Sequence, residues 1–305
     1  MASTRIPFDK LTPIHPHKRI TLETGATPLT GRLIDLFTPI GFGQRALVVA
    51  PPKAGKTTIL RELAAAIQQN FPETTIFICL VGERPEEVTE WRAEVQGPSV
   101  RIYASSFDQE LTRHGRIAEL AFSEAKHVVG QGKDVVVLLD SLTRLARAHN
   151  LSEEMWSGPR NARGGFGSRT LSGGIDAHAL EVGRRLFGSA RSLEEGGSLT
   201  VVASCLVETG SKLDEVVYEE FKGTGNLEIR LSRELADRRI FPAIDLMESS
   251  TRQEERLLSP DELRAMSILR RKIADLPRRE GIEQVIRVLE KTKSNAQLVA
   301  AVLKS

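Results

Sequence analysis

Four short segments of this chain are almost continuously apolar, and this pattern constrains the fold more than any other feature. They are residues 45–50, 74–81, 133–140 and 198–207, and a fifth, more polar run lies at 100–107. A strand with one solvated face alternates apolar and polar residues, so a continuous apolar run indicates a strand covered on both faces. The sequence therefore predicts a mostly parallel sheet enclosed between helices.

Segments with helical periodicity alternate with these runs. Such strand–helix alternation predicts an α/β domain with right-handed crossover connections. The predicted helices between the strands are 56–70, 85–96, 109–130, 141–149 and 176–190.

The pattern changes toward both ends of the chain. Two later strands are predicted at 226–232 and 241–248, and Pro260 begins a helical segment that continues to the end of the sequence. Residues 31–305 are expected to form one domain, capped by helices from about residue 260 to 305. Residues 1–30 are rich in Pro, Thr and His and are expected to form an extended connector.

Composition indicates a soluble protein of the cytoplasm without a membrane partner. Cys79 and Cys205 lie inside apolar runs and are expected to be buried free thiols in a reducing compartment. The N-terminus has no apolar signal-peptide core, and no run is long enough to span a bilayer. The formal net charge is only +2, so any nucleic-acid site must be local.

The segment APPKAGKT, residues 50–57, is a candidate phosphate-binding loop because it follows a strand and opens a helix. Gly55 would let the backbone approach the phosphates, Lys56 would reach the β- and γ-phosphates, and Thr57 would coordinate Mg²⁺. Ala50 stands where the usual pattern has its first glycine. The alternative is an ordinary turn before an amphipathic helix.

Two carboxylates follow predicted strands. Asp140 ends the apolar run DVVVLLD, where a Walker B aspartate would hold the hydration shell of Mg²⁺, although it could equally cap the next helix. Glu83 ends the second run and is predicted to polarise the water that attacks the γ-phosphate. The alternative for Glu83 is electrostatic support of the following helix.

Two predicted loops lack periodicity. Residues 151–174 contain six glycines and three arginines, and a stretch of that length inside a domain is either functional or disordered. The second loop, ETGSKLDE at 208–215, directly follows a buried strand.

From about residue 8 onward, the chain closely resembles the family of the transcription termination factor Rho, hexameric RNA-dependent ATPases and helicases. The resemblance implies a RecA-like P-loop fold that assembles into a homohexameric ring and uses ATP and Mg²⁺, with ATP bound between subunits. It rests on the strings GQRALVVAPPKAGKTT, ERPEEVTE, DVVVLLDSLTRLARA, LSGGIDAHAL, EEGGSLTVVAS, ETGSKLDEVVYEEFKGTGN and RRIFPAID.

The resemblance also implies roles for individual residues in hydrolysis. Glu83 matches the catalytic glutamate, Lys56 the P-loop lysine, and Thr57 and Asp140 the magnesium site, with Asp140 acting through water. Arg252 matches an arginine finger donated across the subunit interface, and Arg239 a second arginine donated there. The implied nucleotide-binding residues are Gly41, Phe42, Gly43, Gln44, Arg45, Ala46, Lys53, Ala54, Gly55, Lys56, Thr57, Thr58, Arg84, Arg144, Arg239 and Phe241.

Without the resemblance, several of these residues have simpler interpretations. Phe241 is implied to pack on adenine but could equally belong to the core. Arg239 and Arg252 would be interpreted as solvated surface arginines, and Lys212 as an ordinary solvated lysine.

By the same resemblance, the two loops are expected to correspond to the loops that line the central pore in this family and grip RNA. The implied RNA-binding residues are Lys212, Thr209, Gly210, Ser211 and Arg169. Mobile loops with isolated cations can follow a phosphate backbone without reading bases.

The main departure from the family concerns the N-terminus, and a smaller one is Gly82, where many relatives have Asp. Only 44 residues precede the first predicted ATPase strand, too few for the family's RNA-loading barrel. The expected function is a 5′ to 3′ RNA translocase that acts in transcription termination, with single-stranded RNA and RNA polymerase as partners. The alternative is a short regulatory ring subunit that binds nucleotide without terminating transcription by itself.

Overall fold

The four apolar runs and the more polar fifth run all form strands. The computed structural model describes residues 7–151, 170–171, 175–176 and 179–304. In chain order, the strands of this part are β1 (Pro13–Ile14), β2 (Arg19–Ile20), β3 (Ile40–Gly41), β4 (Arg45–Ala50), β5 (Thr75–Glu83), β6 (Val100–Ser106), β7 (Asp134–Asp140), β8 (Thr170–Leu171), β9 (Ile175–Asp176), β10 (Arg191–Leu193), β11 (Ser198–Leu206), β12 (Leu227–Arg230) and β13 (Ser250–Thr251).

The main sheet has a parallel centre with the spatial order β12-β4-β11-β7-β5-β6. Both faces of its inner strands are covered. In β4, Ala46, Val48 and Ala50 belong to one apolar cluster, while Leu47 and Val49 belong to the cluster on the opposite face. Alternate side chains of a strand point to opposite faces, so burial on both sides explains the continuous apolar runs. The predicted mostly parallel sheet is confirmed.

Helices cover the two faces of this sheet. One face packs against α1, α2, α3 and the C-terminal helices α9 to α11, and the other packs against α4 to α7. The described helices are α1 (Leu29–Phe37), α2 (Lys56–Asn70), α3 (Pro85–Glu94), α4 (Leu111–Val129), α5 (Leu142–Leu151), α6 (Ala179–Gly188), α7 (Lys212–Thr224), α8 (Arg233–Asp237), α9 (Pro260–Ala274), α10 (Arg278–Glu290) and α11 (Asn295–Lys304).

Local chemistry sets where several helices begin. At α9, the Ser259 hydroxyl accepts from the Glu262 backbone N–H, and the Glu262 carboxylate accepts from the Ser259 N–H, which forms a capping box. Pro260 occupies the first helical position, where a missing N–H costs nothing. The predicted helical C-terminal cap is therefore present.

The N-terminal segment packs along the domain. Strand β1 pairs with β10, and β2 pairs with β3. The buried carboxylate of Asp35 in α1 accepts hydrogen bonds from the backbone N–H groups of Leu22 and Glu23 at 2.8 to 2.9 Å. These contacts attach the segment to α1, and the division of the chain near residue 30 stays a prediction.

The structure corrects two local predictions. Residues 241–248 do not form a strand: one isolated bridge joins Ile244 to Leu231, and the Asp245 carboxylate accepts from the N–H groups of Met247 and Glu248. Such local side-chain bonds compete with a sheet ladder, and Pro242 has no N–H to contribute. The loop predicted at 208–215 is also shorter than expected, because α7 already begins at Lys212.

No described helix combines the length and apolar character needed to cross a bilayer.

Candidate active site

Strands β4, β5, β7 and β11 run in the same direction, so the segments that follow them meet at one edge of the sheet. Residues 51–55 follow β4 and lead directly into α2. Gly55 has a φ of 94°, a left-handed conformation that favours glycine, and no side chain caps the N-terminus of α2. The first backbone N–H groups of a helix lack intrahelical partners, so this end can bind an anion.

Lys56, the first residue of α2, lies between the two carboxylates predicted for the site. Its Nζ donates to Asp140 Oδ1 and lies 3.4 Å from Glu83 Oε1. Ser204 of the intervening strand β11 donates a 2.7 Å hydrogen bond to the same Asp140 oxygen. The structure thus brings Lys56, Glu83 and Asp140 together. The sequence had not indicated Ser204, a serine inside an apolar run.

Arg144 of α5 completes this charged cluster, here named the Lys56 cluster, which consists of Lys56, Glu83, Asp140 and Arg144. Its guanidinium lies 3.3 Å from Glu83 Oε2 and also donates to the Gly82 carbonyl. Ser141 accepts the Arg144 backbone N–H at 3.2 Å, so Ser141 supports the first turn of α5 and Asp140 is free for another role. The predicted phosphate-sensing arginine therefore lies beside the predicted catalytic glutamate.

Burial and neighbouring charges shift the proton affinities of the cluster. Burial, together with the nearby Asp140 carboxylate, raises the pKa of Glu83 to about 7, against the opposing effect of Lys56 and Arg144. Burial alone would lower the pKa of Lys56, but Asp140 and Glu83 outweigh it and hold that pKa above its usual value. A carboxyl with a pKa near neutrality can exchange protons at physiological pH.

A histidine that sequence reasoning missed lies behind the cluster. His114 of α4 is buried, and its Nδ1 is 2.9 Å from Ser105 Oγ. Burial and the positive charge of Arg144 lower the pKa of His114, so this histidine is neutral at pH 7. A single histidine in an amphipathic helix does not indicate from sequence that its side chain will lie beside the charged cluster.

The site has groups suited to a hydrated Mg²⁺ ion. Asp140 Oδ2 is buried and has no hydrogen-bond partner among the described residues, although Oδ1 has two. Thr57 lies in the first turn of α2 beside Lys56. In the described part of the chain, no group of three or more His, Cys, Asp or Glu could hold a metal alone. One carboxylate and one hydroxyl suit Mg²⁺ because it keeps several waters and takes further ligands from phosphates.

A cavity of about 350 Å³ opens beside the phosphate-binding loop. Phe241, which is 48% exposed, forms part of its wall, and a Cβ added to Gly55 would lie 3.9 Å from the Phe241 ring. Phe241 is therefore a wall of the cavity and not a core residue. The cavity is lined by Pro28, Leu29, Thr30, Ala54, Gly55, Thr58, Ile59, Glu62, Phe241, Pro242 and Ala243.

Other predicted nucleotide residues lie around these features. Lys53 is exposed in the loop before α2, with a φ of 67°. Arg84 precedes α3, and its exposed guanidinium is 3.9 Å from Glu87. Arg239 is exposed in the turn two residues before Phe241. In the described structure, none of these three side chains forms a hydrogen bond or an ion pair with the Lys56 cluster.

The predicted stretch Gly41 to Ala46 lies elsewhere. It includes Gly41 of β3 and the first two residues of β4, and the rest of β4 places Ala46 roughly 16 Å from the start of the loop at Pro51. Gln44 and Arg45 instead line a second cavity together with the exposed Arg252. Within one chain, this stretch and Arg252 therefore do not border the Lys56 cluster, and their role toward a nucleotide stays a prediction.

The predicted RNA-binding loop lies at the edge that holds the Lys56 cluster, since it follows β11. Thr209 donates a 2.6 Å hydrogen bond to the buried Asp214 carboxylate, and Ser211 N–H donates to Thr209 Oγ1 at 3.2 Å. Gly210 has a φ of 76° with open space around it, and Lys212 is exposed. Arg169 lies outside the described residues.

Residues 31–251 match the model of the ATP synthase alpha/beta family, nucleotide-binding domain. The chain is 50% identical to transcription termination factor Rho of Pseudomonas aeruginosa over 297 residues, which cover 96% of the chain and 68% of that protein. It is also 50% identical to Rho of Mycobacterium tuberculosis over 304 residues, which cover 100% of the chain and 48% of that protein. The chain thus spans between about half and two thirds of these relatives.

A solved structure has the same fold as this chain. A prototypical ATPase from the type III secretion system of pathogenic bacteria superposes with a TM-score of 0.76 at 22% identity, over 97% of this chain and 88% of that one. The two sequence matches, the parallel sheet and the phosphate-binding edge together identify the family of this chain. The chain belongs to the transcription termination factor Rho family and contains the nucleotide-binding domain of the ATP synthase alpha/beta family.

Proposed function

We propose that this chain is an RNA-dependent ATPase motor of the Rho type, which hydrolyses ATP to move single-stranded RNA from 5′ to 3′. The observation that carries the proposal is the position of Lys56 between Asp140 and Glu83, with Arg144 beside Glu83. Two buried carboxylates and two cations at the end of a phosphate-binding loop are the groups that phosphoryl transfer to water needs.

Each residue has a role in this proposal. Lys56 exchanges its contacts with the carboxylates for the β- and γ-phosphates. Glu83 orients the attacking water and accepts its proton, for which a pKa of about 7 is suitable. Thr57 directly, and Asp140 through water, would hold Mg²⁺, which supplies positive charge to the phosphates. Arg144 stabilises the negative charge that develops on the γ-phosphate.

Assembly into a homohexamer would complete the site. Arg252 is exposed at the edge opposite to the phosphate-binding loop and has no ion-pair partner among the described residues. A head-to-tail ring brings that edge of one subunit toward the loop edge of the next. Arg252 would then act as an arginine finger on the neighbour's ATP, with Arg239 and the Gly41 to Ala46 stretch also at the interface.

The loop of Thr209, Gly210, Ser211 and Lys212, together with Arg169, would contact RNA in the ring's pore. The exposed side chain of Lys212 would contact an RNA phosphate. Thr209 donates a hydrogen bond to Asp214, which lies in the first turn of α7. Pulling on nascent RNA would release it from the transcription complex, which gives the motor its place in termination and makes RNA polymerase a partner.

ATP hydrolysis with and without single-stranded RNA tests this proposal. We expect RNA to stimulate the wild type and Lys212→Ala to lose most of that stimulation. The salt dependence of RNA affinity should also become shallower by about one counterion per subunit. Lys291→Ala, at an exposed site after α10, is the matched control and should behave like the wild type. Hydrolysis that is independent of RNA and unaffected by Lys212→Ala would exclude the motor function.

A further inference from the structure

Strand β5 contains a β-bulge directly before Glu83. Val81 lies opposite Ser105 in the parallel pairing of β5 with β6. Glu83 lies opposite Ser106, the very next residue of β6, so Gly82 is an extra residue in β5. Gly82 has a φ of 63°, a left-handed conformation that favours glycine.

The bulge decides which face of the sheet Glu83 occupies. Val81 belongs to the apolar cluster on the face that packs against α4 to α7. Alternate residues of a strand point to the same face, so a regular β5 would place Glu83 on that face as well. The extra residue shifts Glu83 to the other face, which is covered by α2, the helix that begins with Lys56. The 3.4 Å contact between Lys56 and Glu83 therefore depends on the bulge.

Ser105 and His114 hold the backbone at this bulge. The Gly82 N–H donates to Ser105 Oγ at 3.4 Å, and the Ser105 hydroxyl donates to the Leu80 carbonyl at 3.4 Å. Because the single hydroxyl proton of Ser105 is used in that bond, the 2.9 Å contact with His114 requires a proton on His114 Nδ1. The neutral His114 side chain therefore donates to Ser105 through Nδ1.

His114 and Arg144 also pack against Gly82 itself. A Cβ added to Gly82 would lie 3.6 Å from His114 Nε2 and 3.6 Å from Arg144 Cδ. The Gly82 carbonyl accepts from the Arg144 guanidinium, which lies 3.3 Å from Glu83 Oε2. The backbone just before Glu83 is thus fixed by α4 through Ser105 and by α5 through Arg144.

We propose that His114 is a positioning residue for ATP hydrolysis, which acts through Ser105 to keep the bulge at Gly82 and so directs Glu83 toward the attacking water. This inference rests on the proposed function of the Lys56 cluster as the hydrolytic site. A displacement of about 1 Å near a reacting group can lower a rate roughly 100-fold, so the loss of this support should slow hydrolysis. The phosphate-binding loop belongs to a different segment, between β4 and α2, so ATP affinity should change little.

ATP affinity and single-turnover hydrolysis of the full chain, with Mg²⁺ and saturating RNA, test this role. His114→Leu keeps a side chain of similar size but cannot donate to Ser105. It should lower the hydrolysis rate about 10- to 100-fold and leave ATP affinity within about twofold of the wild type. Ser105→Ala should have the same effect, and it supplies the test if His114→Leu folds poorly.

Three further variants separate positioning from general support of the fold. His114→Asn places an amide N–H where Nδ1 stands and should recover most of the hydrolysis rate. In the Glu83→Gln background, His114→Leu should cause no further loss of hydrolysis, because both changes act through the same side chain. His127→Leu, at an exposed site on α4, is the matched control and should hydrolyse ATP like the wild type.

The outcomes separate this inference from the proposed function. A wild-type hydrolysis rate in either His114→Leu or Ser105→Ala overturns the role of His114 and leaves the proposed function standing. Equal losses of ATP affinity and hydrolysis, or a further loss in the Glu83→Gln background, also overturn it, because the effect then does not pass through Glu83. If the wild type hydrolyses no ATP in the presence of RNA, the proposed function and the inference both fail.

Discussion

Arg147 of α5 binds both carboxylate oxygens of the buried Asp214 of α7, through Nε at 2.8 Å and through a second guanidinium nitrogen. Asp214 also accepts the hydroxyl of Thr209, in the proposed RNA-binding loop, at 2.6 Å. Arg144, which lies beside Glu83, is one turn earlier on the same helix. Helix α5 therefore joins the Lys56 cluster to the loop through consecutive contacts.

We expect Arg147→Met to weaken the coupling between RNA and hydrolysis. The substitution leaves the buried Asp214 carboxylate with only Thr209 as a side-chain donor, which should lower the free energy of unfolding by about 1–3 kcal/mol. RNA stimulation of hydrolysis should fall roughly fivefold or more, the lower end of typical coupling between sites. Thermal unfolding and RNA-stimulated ATPase assays measure the two effects.

Arg184→Met is the matched control for this change. Arg184 also forms an ion pair with α7, with Glu220 at 2.9 Å, but the Glu220 side chain is 33% exposed, whereas Asp214 is buried. Exposed pairs contribute little, so this variant should keep its stability and its RNA stimulation. Equal effects of the two variants would show that the Arg147 contact has no special role.

The raised pKa of Glu83 predicts a dependence of stability on pH. Its folded pKa of about 7 exceeds the ordinary value of 4.5, so the folded chain holds this proton more tightly than the unfolded chain. The resulting stabilisation is full below pH 4.5 and is lost as the pH rises to about 7. Glu83→Gln cannot ionise, so its stability relative to the wild type should increase by about 2–3 kcal/mol from pH 5 to pH 8.

Urea unfolding of both proteins at several pH values measures this difference without nucleotide. A difference in unfolding free energy that stays constant between pH 5 and pH 8 would show that Glu83 titrates normally.

Arg32 of α1 should be a main determinant of stability. Its side chain is fully buried and donates to the Leu289 and Thr292 carbonyls at 2.9 and 2.8 Å and to Asn295 Oδ1 at 3.2 Å. Arg32→Leu leaves these acceptors unpaired and should cost about 3–5 kcal/mol of unfolding free energy. Arg287→Leu, on the exposed face of α10, should leave the unfolding midpoint nearly unchanged. A loss smaller than 1 kcal/mol for Arg32→Leu would contradict this assignment.

Mixing two inactive variants tests whether Arg252 acts on a neighbouring subunit. Arg252→Ala keeps the Lys56 cluster intact, while Glu83→Gln keeps the arginine. If Arg252 completes the site of the next subunit, mixed rings contain some interfaces with both groups, and hydrolysis appears that neither variant shows alone. An absence of recovery in rings shown to be mixed by native mass spectrometry would exclude this role.

Much of the fold was predictable because the sheet is covered on both sides. The five main strands follow from their apolar runs, and α2 occupies the predicted 56–70 because its start coincides with the phosphate-binding loop. The start of helix α7 at Lys212 was not predicted, because the glycine and lysine of ETGSK are typical of a loop and suggested that the loop continues to residue 215. Its Asp214 and Glu215, which favour a helix N-terminus, were the available signal.

The site was only partly predictable, since sequence does not give distances between separate strands. That Asp140 and Glu83 follow strands suggested a shared edge, but only the order β4-β11-β7-β5 places both of them against Lys56. Ser204 and His114 had no local pattern that distinguished them from core or helix-surface residues. Their surroundings arise from segments that are far apart in the chain.

The most direct test of the central claim compares ATP binding with hydrolysis in Glu83→Gln under single-turnover conditions with saturating RNA. The amide keeps the size of the side chain but cannot accept the proton of the attacking water. We predict ATP affinity like that of the wild type and a hydrolysis rate lower by about 10²–10⁴-fold, the contribution typical of a general base. Hydrolysis at the wild-type rate would contradict the assignment of Glu83 and, with it, the account of this site.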